Sequence, residues 1–463
     1  MARIFIAGAS GFIGKALIEA ILSSTEHQVV AFSRGKSSQV HQRLRWIQGD
    51  LFSLKDITEA MQGCDQALYL VHSMLPSASL VQGTFYDMDL ILADNFARAA
   101  RHLGVGHVLY LGGLLPDDVS ALSWHLKSRL EVEQCLASAA ARVTVLRAGM
   151  VLGQGGSSFA IMRRLVERLP IMFCPRWTAT RSQPIDLDDL KAIVLACLRD
   201  EKIQGQVWDI GGPAVMTYRE MMRTTAEAMG RRPLMIPVTA FSPKLSRFWV
   251  TLVTGAPRAL VYPLVLSLRH SMIVNPARRF PYPELMATSF AESLARWAPL
   301  AEGEVHAFKR PVALDAPKHV RSVQRLLLPS AKTAAWIAEE YFRWLPRFFS
   351  FLIRIEIRDT FCHFYLLVPQ LRLLILEKSL ERSQSDRQLL YIRGGLLASK
   401  QLRGRLEFRE VLGGRFILAA IHDFRPALPW IIYKWTQAVV HLVVMHAFGR
   451  HLKRIQESGS WHR

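Results

Sequence analysis

Arg3-Ile-Phe-Ile-Ala-Gly8-Ala-Ser10-Gly11-Phe12-Ile13-Gly14 decides how this chain folds. A short apolar run leads without interruption into three spaced glycines, and an amphipathic pattern follows from Phe12. The spacing has physical reasons. Gly8 permits a tight turn, Gly11 lets a ligand approach the backbone, and Gly14 lets the helix pack closely on the strand. A helix that starts there directs unpaired N–H groups and a positive partial charge at whatever sits on the turn. A strand before the glycines and a helix after them make this a cradle for a dinucleotide pyrophosphate, with Gly8, Ser10, Gly11, Phe12, Ile13 and Gly14 as its contacts.

The same alternation continues outward. Strand-like runs read at 3–7, 28–32, 44–47, 66–71, 107–111 and 142–146, with helical patterns at 12–22, 54–61, 85–102 and 124–137. Continuous apolar strands between amphipathic helices predict a parallel sheet covered on both faces, a doubly wound α/β domain of Rossmann type. The second strand ends Ala31-Phe32-Ser33-Arg34 without a carboxylate. An NAD site needs an acid there for the ribose hydroxyls, whereas Ser33 and Arg34 suit the 2′-phosphate of NADP, which is therefore favoured over NAD. Asp50 and Leu51 would flank the adenine. His72 and Ser73 would lie near the pyrophosphate and the nicotinamide-side ribose.

These residues resemble extended, atypical short-chain dehydrogenase/reductase proteins. Gln-Gly-Asp-Leu (48–51), Tyr-Leu-Val-His-Ser-Met (69–74), Tyr-Leu-Gly-Gly-Leu (110–114), His-Leu-Lys-Ser-Arg (125–129) and Gln-Pro-Ile-Asp-Leu-Asp-Asp (183–189) narrow the resemblance. They are similar to NmrA-like proteins and to the group related to an accessory subunit of respiratory complex I, over about residues 1–300. The resemblance implies a Ser and a Tyr-x-x-x-Lys pair for catalysis. At the matching positions this chain has Gly112 or Gly113, His125 and Arg129. His125 then stands as candidate proton donor and Arg129 as a grip on the ribose, since imidazole suits acid–base work near neutral pH. Loss of catalysis, with the cofactor kept as a structural or sensing ligand, is the competing expectation.

Beyond residue 150 the pattern loosens, with helices expected after Ser157, at Leu187–Arg199 and at Thr217–Met229, and two apolar ones between Pro243 and His270. Prolines 311 and 317 bound a linker near 309–318. The expected division is a cofactor domain at 1–150, its substrate lobe at 151–310 and a separate domain at 318–463. In the last, a strand at 323–328, a helix at 330–344 with Ser330 as N-cap, six strand candidates and one long helix from Pro429 to Arg454 follow in order. That order, with Arg-Leu-Glu-Phe-Arg-Glu-Val (405–411) and Phe-Arg-Pro-Ala-Leu-Pro-Trp (424–430), resembles the α+β helix-grip fold of START and pollen-allergen proteins. The resemblance implies a cavity for a hydrophobic small molecule.

Composition sets the outer bounds. Half of the 463 residues are hydrophobic and 21% are charged, which excludes disorder over most of the length. Five scattered cysteines form no C-x-x-C pair, and His441 and His446 have the wrong spacing for one helical face, so no metal site is expected. The apolar runs fall short of a bilayer span, and the N-terminus reads as a strand rather than a signal peptide, so a cytoplasmic protein is expected. Net charge is +20, and residues 318–463 hold 24 Lys and Arg against 11 Asp and Glu. With no nucleic-acid motif, the open choices for that excess are a solvated surface, peripheral contact with anionic membrane at its inner face, and an acidic protein partner. The expected activity is NADP-dependent oxidoreduction of a quinone- or isoprenoid-like molecule. The rival is a catalytically silent NAD(P)H-binding accessory module that works through a protein partner.

Overall fold

The computed structural model describes residues 1–35, 39–72, 80–238, 243–297, 319–350, 352–368, 370–400 and 403–460. Ser73, the 309–318 linker and the expected strand start at Phe351 lie outside the described residues. The chain divides into two compact units, residues 1–75 with 92–312, and residues 76–91 with 313–463.

The first unit opens with β1 (Arg3–Ala7), α1 (Phe12–Ser24), β2 (Gln28–Ser33), β3 (Leu44–Gln48), α2 (Leu54–Met61) and β4 (Gln66–Tyr69). The chain then contributes β5 (Leu80–Gln82) and the first part of α3 (Phe85–His102) to the second unit, and the boundary falls within α3. β6 (His107–Gly113), α4 (Trp124–Leu136) and β7 (Arg142–Ala148) continue the first unit. The lobe adds β8 (Val151–Leu152), α5 (Ser157–Arg168), β9 (Ile171–Pro175), β10 (Arg181–Ser182), β11 (Ile185–Asp186) and α6 (Leu187–Arg199). After them come β12 (Val207–Ile210), β13 (Met216–Thr217), α7 (Tyr218–Ala228), β14 (Leu234–Val238), α8 (Pro243–Thr254), α9 (Arg258–Ser267) and α10 (Phe290–Trp297).

Seven strands form one parallel sheet in the order β12-β7-β6-β4-β1-β2-β3. Alternation along β1 sets its two faces. Ile4 and Ile6 point into a core with Leu17, Ile18 and Ile21 of α1 and Ile193 and Val194 of α6. Phe5 points the other way, into a row of rings that runs Phe32–Phe5–Phe96–Tyr69–Tyr110 with centroids 5.0–6.1 Å apart. A further core, built from α5, α7, α8, α9 and α10, forms the lobe.

The second unit contains β5, β15 (Val320–Leu327), α11 (Ala334–Phe348), β16 (Ile353–Arg358), β17 (Phe361–Leu366), β18 (Arg372–Lys378), β19 (Arg387–Gly394), β20 (Arg405–Val411) and β21 (Phe416–Phe424). It ends with α12 (Trp430–Trp435) and α13 (Gln437–Ser460). The sheet order is β16-β17-β18-β19-β20-β21-β15-β5, antiparallel except for the last pair. β5, absent from the sequence reading, joins this sheet because Leu80, Val81 and Gln82 pair with Val320, Arg321 and Ser322. Two local expectations are corrected. Thr333, not Ser330, caps α11, because its side chain accepts from the Trp336 amide. The single C-terminal helix is two, broken at Thr436, whose φ −119° and ψ −87° are not helical.

β20 shows the two-residue period of a strand covered on both sides. Leu406 and Phe408 join the apolar core with Ile337 and Tyr341 of α11 and Phe448 of α13. Arg405, Glu407 and Arg409 lie on the other side and are buried as well. Burial alone would raise the Glu407 carboxyl, but the Arg387 and Arg409 guanidiniums outweigh it and hold it well below the usual range. His422, 3.5 Å from Glu407, is pushed by burial down to about 4. Burial and then Arg142 likewise push His107 of β6 down to about 4.

Two predictions follow from these placements. A Cβ on Gly14 would sit 2.3 Å from the Gly8 carbonyl oxygen, whereas one on Gly35 would meet nothing. Gly14→Ala should cost about 1–3 kcal/mol by urea denaturation and Gly35→Ala under about 0.5 kcal/mol. His107 and His422 stay neutral in the fold until pH falls to about 4, while in the unfolded chain they bind protons below about 6.5. Stability is therefore full above pH ~6.5 and lost as pH drops toward ~4, by up to about 3 kcal/mol per histidine. Melting temperatures should fall through that window, and less steeply in His422→Gln.

Candidate functional site

Parallel strands leave a crevice at their carboxyl ends, where the sheet order reverses and the loops diverge. Here β1 and β4 are the neighbours on either side of that reversal. The turn after β1 has Gly8 at φ +89°, and the Gly11 amide donates to the Gly8 carbonyl at 3.0 Å. The Gly11 N-cap has no side-chain acceptor for the first amides of α1. Gly14 lies too close to Gly8 and Ala9 for a Cβ, which seats α1 with its bare N-terminus on the turn, a geometry that fits a pyrophosphate.

The remaining cofactor candidates occupy the ends of successive strands. Ser33 is buried at the end of β2 and donates to the Gly35 carbonyl at 2.6 Å, while Arg34 is exposed. Asp50 accepts from the Phe52 amide at 3.1 Å, and the Leu51 carbonyl accepts from Asn95 at 2.8 Å. No carboxylate stands at Ser33 or Arg34 to hold a ribose hydroxyl.

Beside the glycine turn lies a cavity of about 360 Å³ with mostly apolar walls. Phe12, Ile13, Gly113, His72, His125 and Arg129 line it from the sheet side, and Trp177, Tyr218 and Ser267 from the lobe. His125 and Arg129 are one helical turn apart on α4, so both reach the same space. Arg129 donates to the Leu111 carbonyl at 2.6 Å, and its guanidinium lies 5.3 Å from the Tyr110 ring centroid. A Cβ at Gly113 would meet nothing, so the missing serine leaves open space.

A row of polar groups crosses this cavity wall. Ser123, the N-cap of α4, has its Oγ 2.9 Å from that of Ser267. Ser267 Oγ is 2.9 Å from His125 Nδ1, and His125 Nε2 is 3.0 Å from His72 Nε2. Two ring nitrogens at that distance share one proton, one donating and the other accepting. His72 thus meets His125. Ser267 had no signal in the sequence, because it is one serine on an apolar helix far along the chain. Ser123 was visible, but only the packing of α9 gives it a partner. Tyr218 adds a phenol that burial pushes up to about 12. The Gln183–Asp189 stretch is structural: Gln183 donates to Gly212, Asp186 caps α6, and Asp189 holds Thr288.

The second unit encloses a smaller cavity of about 180 Å³, walled by apolar side chains such as Tyr341, Phe364 and Val444. Its polar lining is Gln82, Ser322, Gln437 and His441. Gln82 donates to the Ala438 carbonyl at 2.8 Å, which fixes its amide, and its Oε1 and that of Gln437 are buried with no hydrogen-bond partner among the described residues. His441 Nε2 lies 3.1 Å from Ser322 Oγ. Among the described residues no cluster of His, Cys, Asp and Glu could hold a metal ion.

Residues 8–164 match a family model described as NAD(P)H-binding. That match and the parallel sheet support an NAD(P)H-binding, Rossmann-like domain. The chain is 32% identical over 116 residues to the auxiliary protein GraX of Staphylococcus aureus, covering 25% of this chain and 38% of that protein. It is 22% identical over 223 residues to the mitochondrial NADH dehydrogenase [ubiquinone] 1 alpha subcomplex subunit 9 of Arabidopsis thaliana, covering 46% of this chain and 54% of the relative. The matches thus span between about a third and about half of these curated relatives. In fold the chain is similar to Citrobacter sp. triphenylmethane reductase complexed with NADP(H), at 16% identity and a TM-score of 0.51, over 65% of this chain and all of that one.

Proposed function

We propose that the first unit is an NADP(H)-dependent reductase acting on an apolar carbonyl- or quinone-like molecule in the 360 Å³ cavity. The observation that carries this reading is the polar row Ser123–Ser267–His125–His72, set in an otherwise apolar wall beside the glycine turn. The turn and α1 would hold the pyrophosphate, Ser33 and Arg34 the 2′-phosphate, Asp50 and Leu51 the adenine side, and Arg129 the ribose. Ser73 belongs to this set by sequence alone. Bound NADPH would supply the hydride. A carbonyl reduced in an apolar cavity develops charge on its oxygen, and a positioned acid lowers that cost. In this reading His125 gives the proton from Nε2, exchanging its His72 contact for the substrate oxygen, while Nδ1 stays on Ser267 and His72 then returns a proton to Nε2.

A second reading has its own support. Two curated relatives are named as an auxiliary protein and as a subunit of NADH dehydrogenase, and the usual Ser, Tyr and Lys are all replaced here. On that reading the first unit binds NADP(H) and works through a protein partner. For the second unit, the order of strand, helix, antiparallel strands and C-terminal helices supports a helix-grip domain. The unpartnered Gln82 and Gln437 oxygens favour a ligand with an apolar body and a hydrogen-donating head, such as a hydroxyl.

Cofactor choice is tested by titrating tryptophan fluorescence with NADPH and NADH. NADPH should bind more tightly, and Arg34→Ala should weaken it about ten- to hundredfold, the loss of a charge-assisted contact of ~1.5–3 kcal/mol. Equal affinities would reverse the assignment. Turnover is tested on a panel of quinones. His125→Ala should lower it about 10²–10⁴-fold with NADPH binding nearly unchanged, whereas Arg129→Ala should weaken NADPH binding itself. A chain that holds NADPH tightly and reduces nothing on the panel would favour the second reading.

A further inference from the structure

The meander of the second unit sorts its turns by end. The turns at 359–360, 379–386 and 412–415 lie at one end, and the described residues 367–368, 370–371, 395–400, 403–404 and 425–429 lie at the other with the start of β16. Main-chain bonds tie this second end together: Leu367 to Leu352, Leu396 to Arg372, and Ala427 to Leu397, all within 3.2 Å.

Its surface is unlike that of an ordinary turn cluster. Leu352, Leu367, Val368, Leu371 and Leu396 are exposed on the turns. The chain then runs into α12, where Ile431 and Trp435 are 75% and 73% exposed, and into α13, where Val439, Val440 and Val443 are exposed as well. Soluble surfaces rarely gather this much apolar side chain in one place without a partner. Charge points to what that partner is. Residues 366–372, 395–403 and 424–456 contain no Asp or Glu. Arg372, Lys400, Arg403, Arg425 and Lys434 are exposed among the apolar groups. The opposite end carries Asp359, Glu381 and Asp386 instead.

We propose that this end of the second unit docks on an anionic lipid bilayer, with Trp435, Ile431 and the turn leucines entering the interface and the five basic residues meeting lipid headgroups. Aromatic and branched side chains ringed by Lys and Arg suit that boundary, and Asp423, the acid at this end, is paired with Arg321 and Arg405. Among the described residues no helix is long and apolar enough to cross a membrane, so the contact is peripheral. The proposal does not depend on the chemistry of the first unit.

Flotation of the full chain with phosphatidylcholine vesicles, with and without phosphatidylglycerol, tests it. The anionic vesicles should carry at least about tenfold more protein, and salt near ~1 M, where charges are screened beyond ~3 Å, should release much of it. Trp435→Asp and Leu367→Asp should each cut binding about tenfold or more, and the pair Arg425→Glu with Lys434→Glu likewise. Leu380→Asp, equally exposed at the other end, should bind like the parent. Melting curves matching the parent confirm that each variant is folded. Equal flotation on neutral and anionic vesicles, or equal loss in Leu380→Asp, would overturn the proposal. So would a dimer in light scattering that Trp435→Asp converts to monomer while no vesicle binds, which makes a second copy the occupant.

Discussion

The approach of α1 to β1 is the constraint on which the first unit depends. The helix lies so close to the turn that a single added carbon at Gly14 would overlap the Gly8 carbonyl. That closeness aims the helix N-terminus across the crevice, and it makes the turn a place where phosphate can meet bare amides. It also fixes the faces of the sheet. With α1 seated, Ile4 and Ile6 must meet it, and Phe5 must turn to the row of rings on the far side.

From that arrangement the cavity follows. Parallel strands deliver His72, Gly113 and the residues after β7 to one edge, and α4 brings His125 and Arg129 to the same edge. The lobe closes over them with apolar side chains from α5, α7 and α9. Ser123 and Ser267 are buried at one end of the polar row while His125 and His72 are half-buried, so the serine contacts count for more than they would at the surface. An apolar pocket with a few convergent polar groups is the usual form of a small-molecule site.

The second unit solves a different problem. Its sheet is buried on both sides near β20, so the alternation apolar-in, polar-out becomes apolar on one side and paired charge on the other. Glu407 between two arginines is stable there because each buried charge has a partner. Breaking such a pair costs more than forming it yields. The cluster is accordingly a device of tolerance, letting a charged strand be enclosed. The basic end of the sheet has no such enclosure, and its apolar turns stay in solvent.

What the sequence determined by itself was whatever depends on near neighbours. The glycine spacing, the apolar strand runs and the amphipathic helices placed the parallel sheet and its cofactor edge, since turn geometry and side-chain period are local properties. His125 and Arg129 were legible through the resemblance, at the positions of its Tyr-x-x-x-Lys pair. Only the tertiary structure decided the rest. Ser267 comes to His125 from 142 residues away, and Gln82 enters the second unit's sheet from a stretch that reads as part of the first. Neither carries a local signal. Thr333 displaced Ser330 as a cap, and Thr436 divided the last helix, because backbone angles at single residues answer to packing as well as propensity. A solvated surface was one open choice for the basic excess of residues 318–463, yet Arg405 and Arg409 are enclosed, because burial is a property of what comes to lie over a strand and not of the strand's own residues.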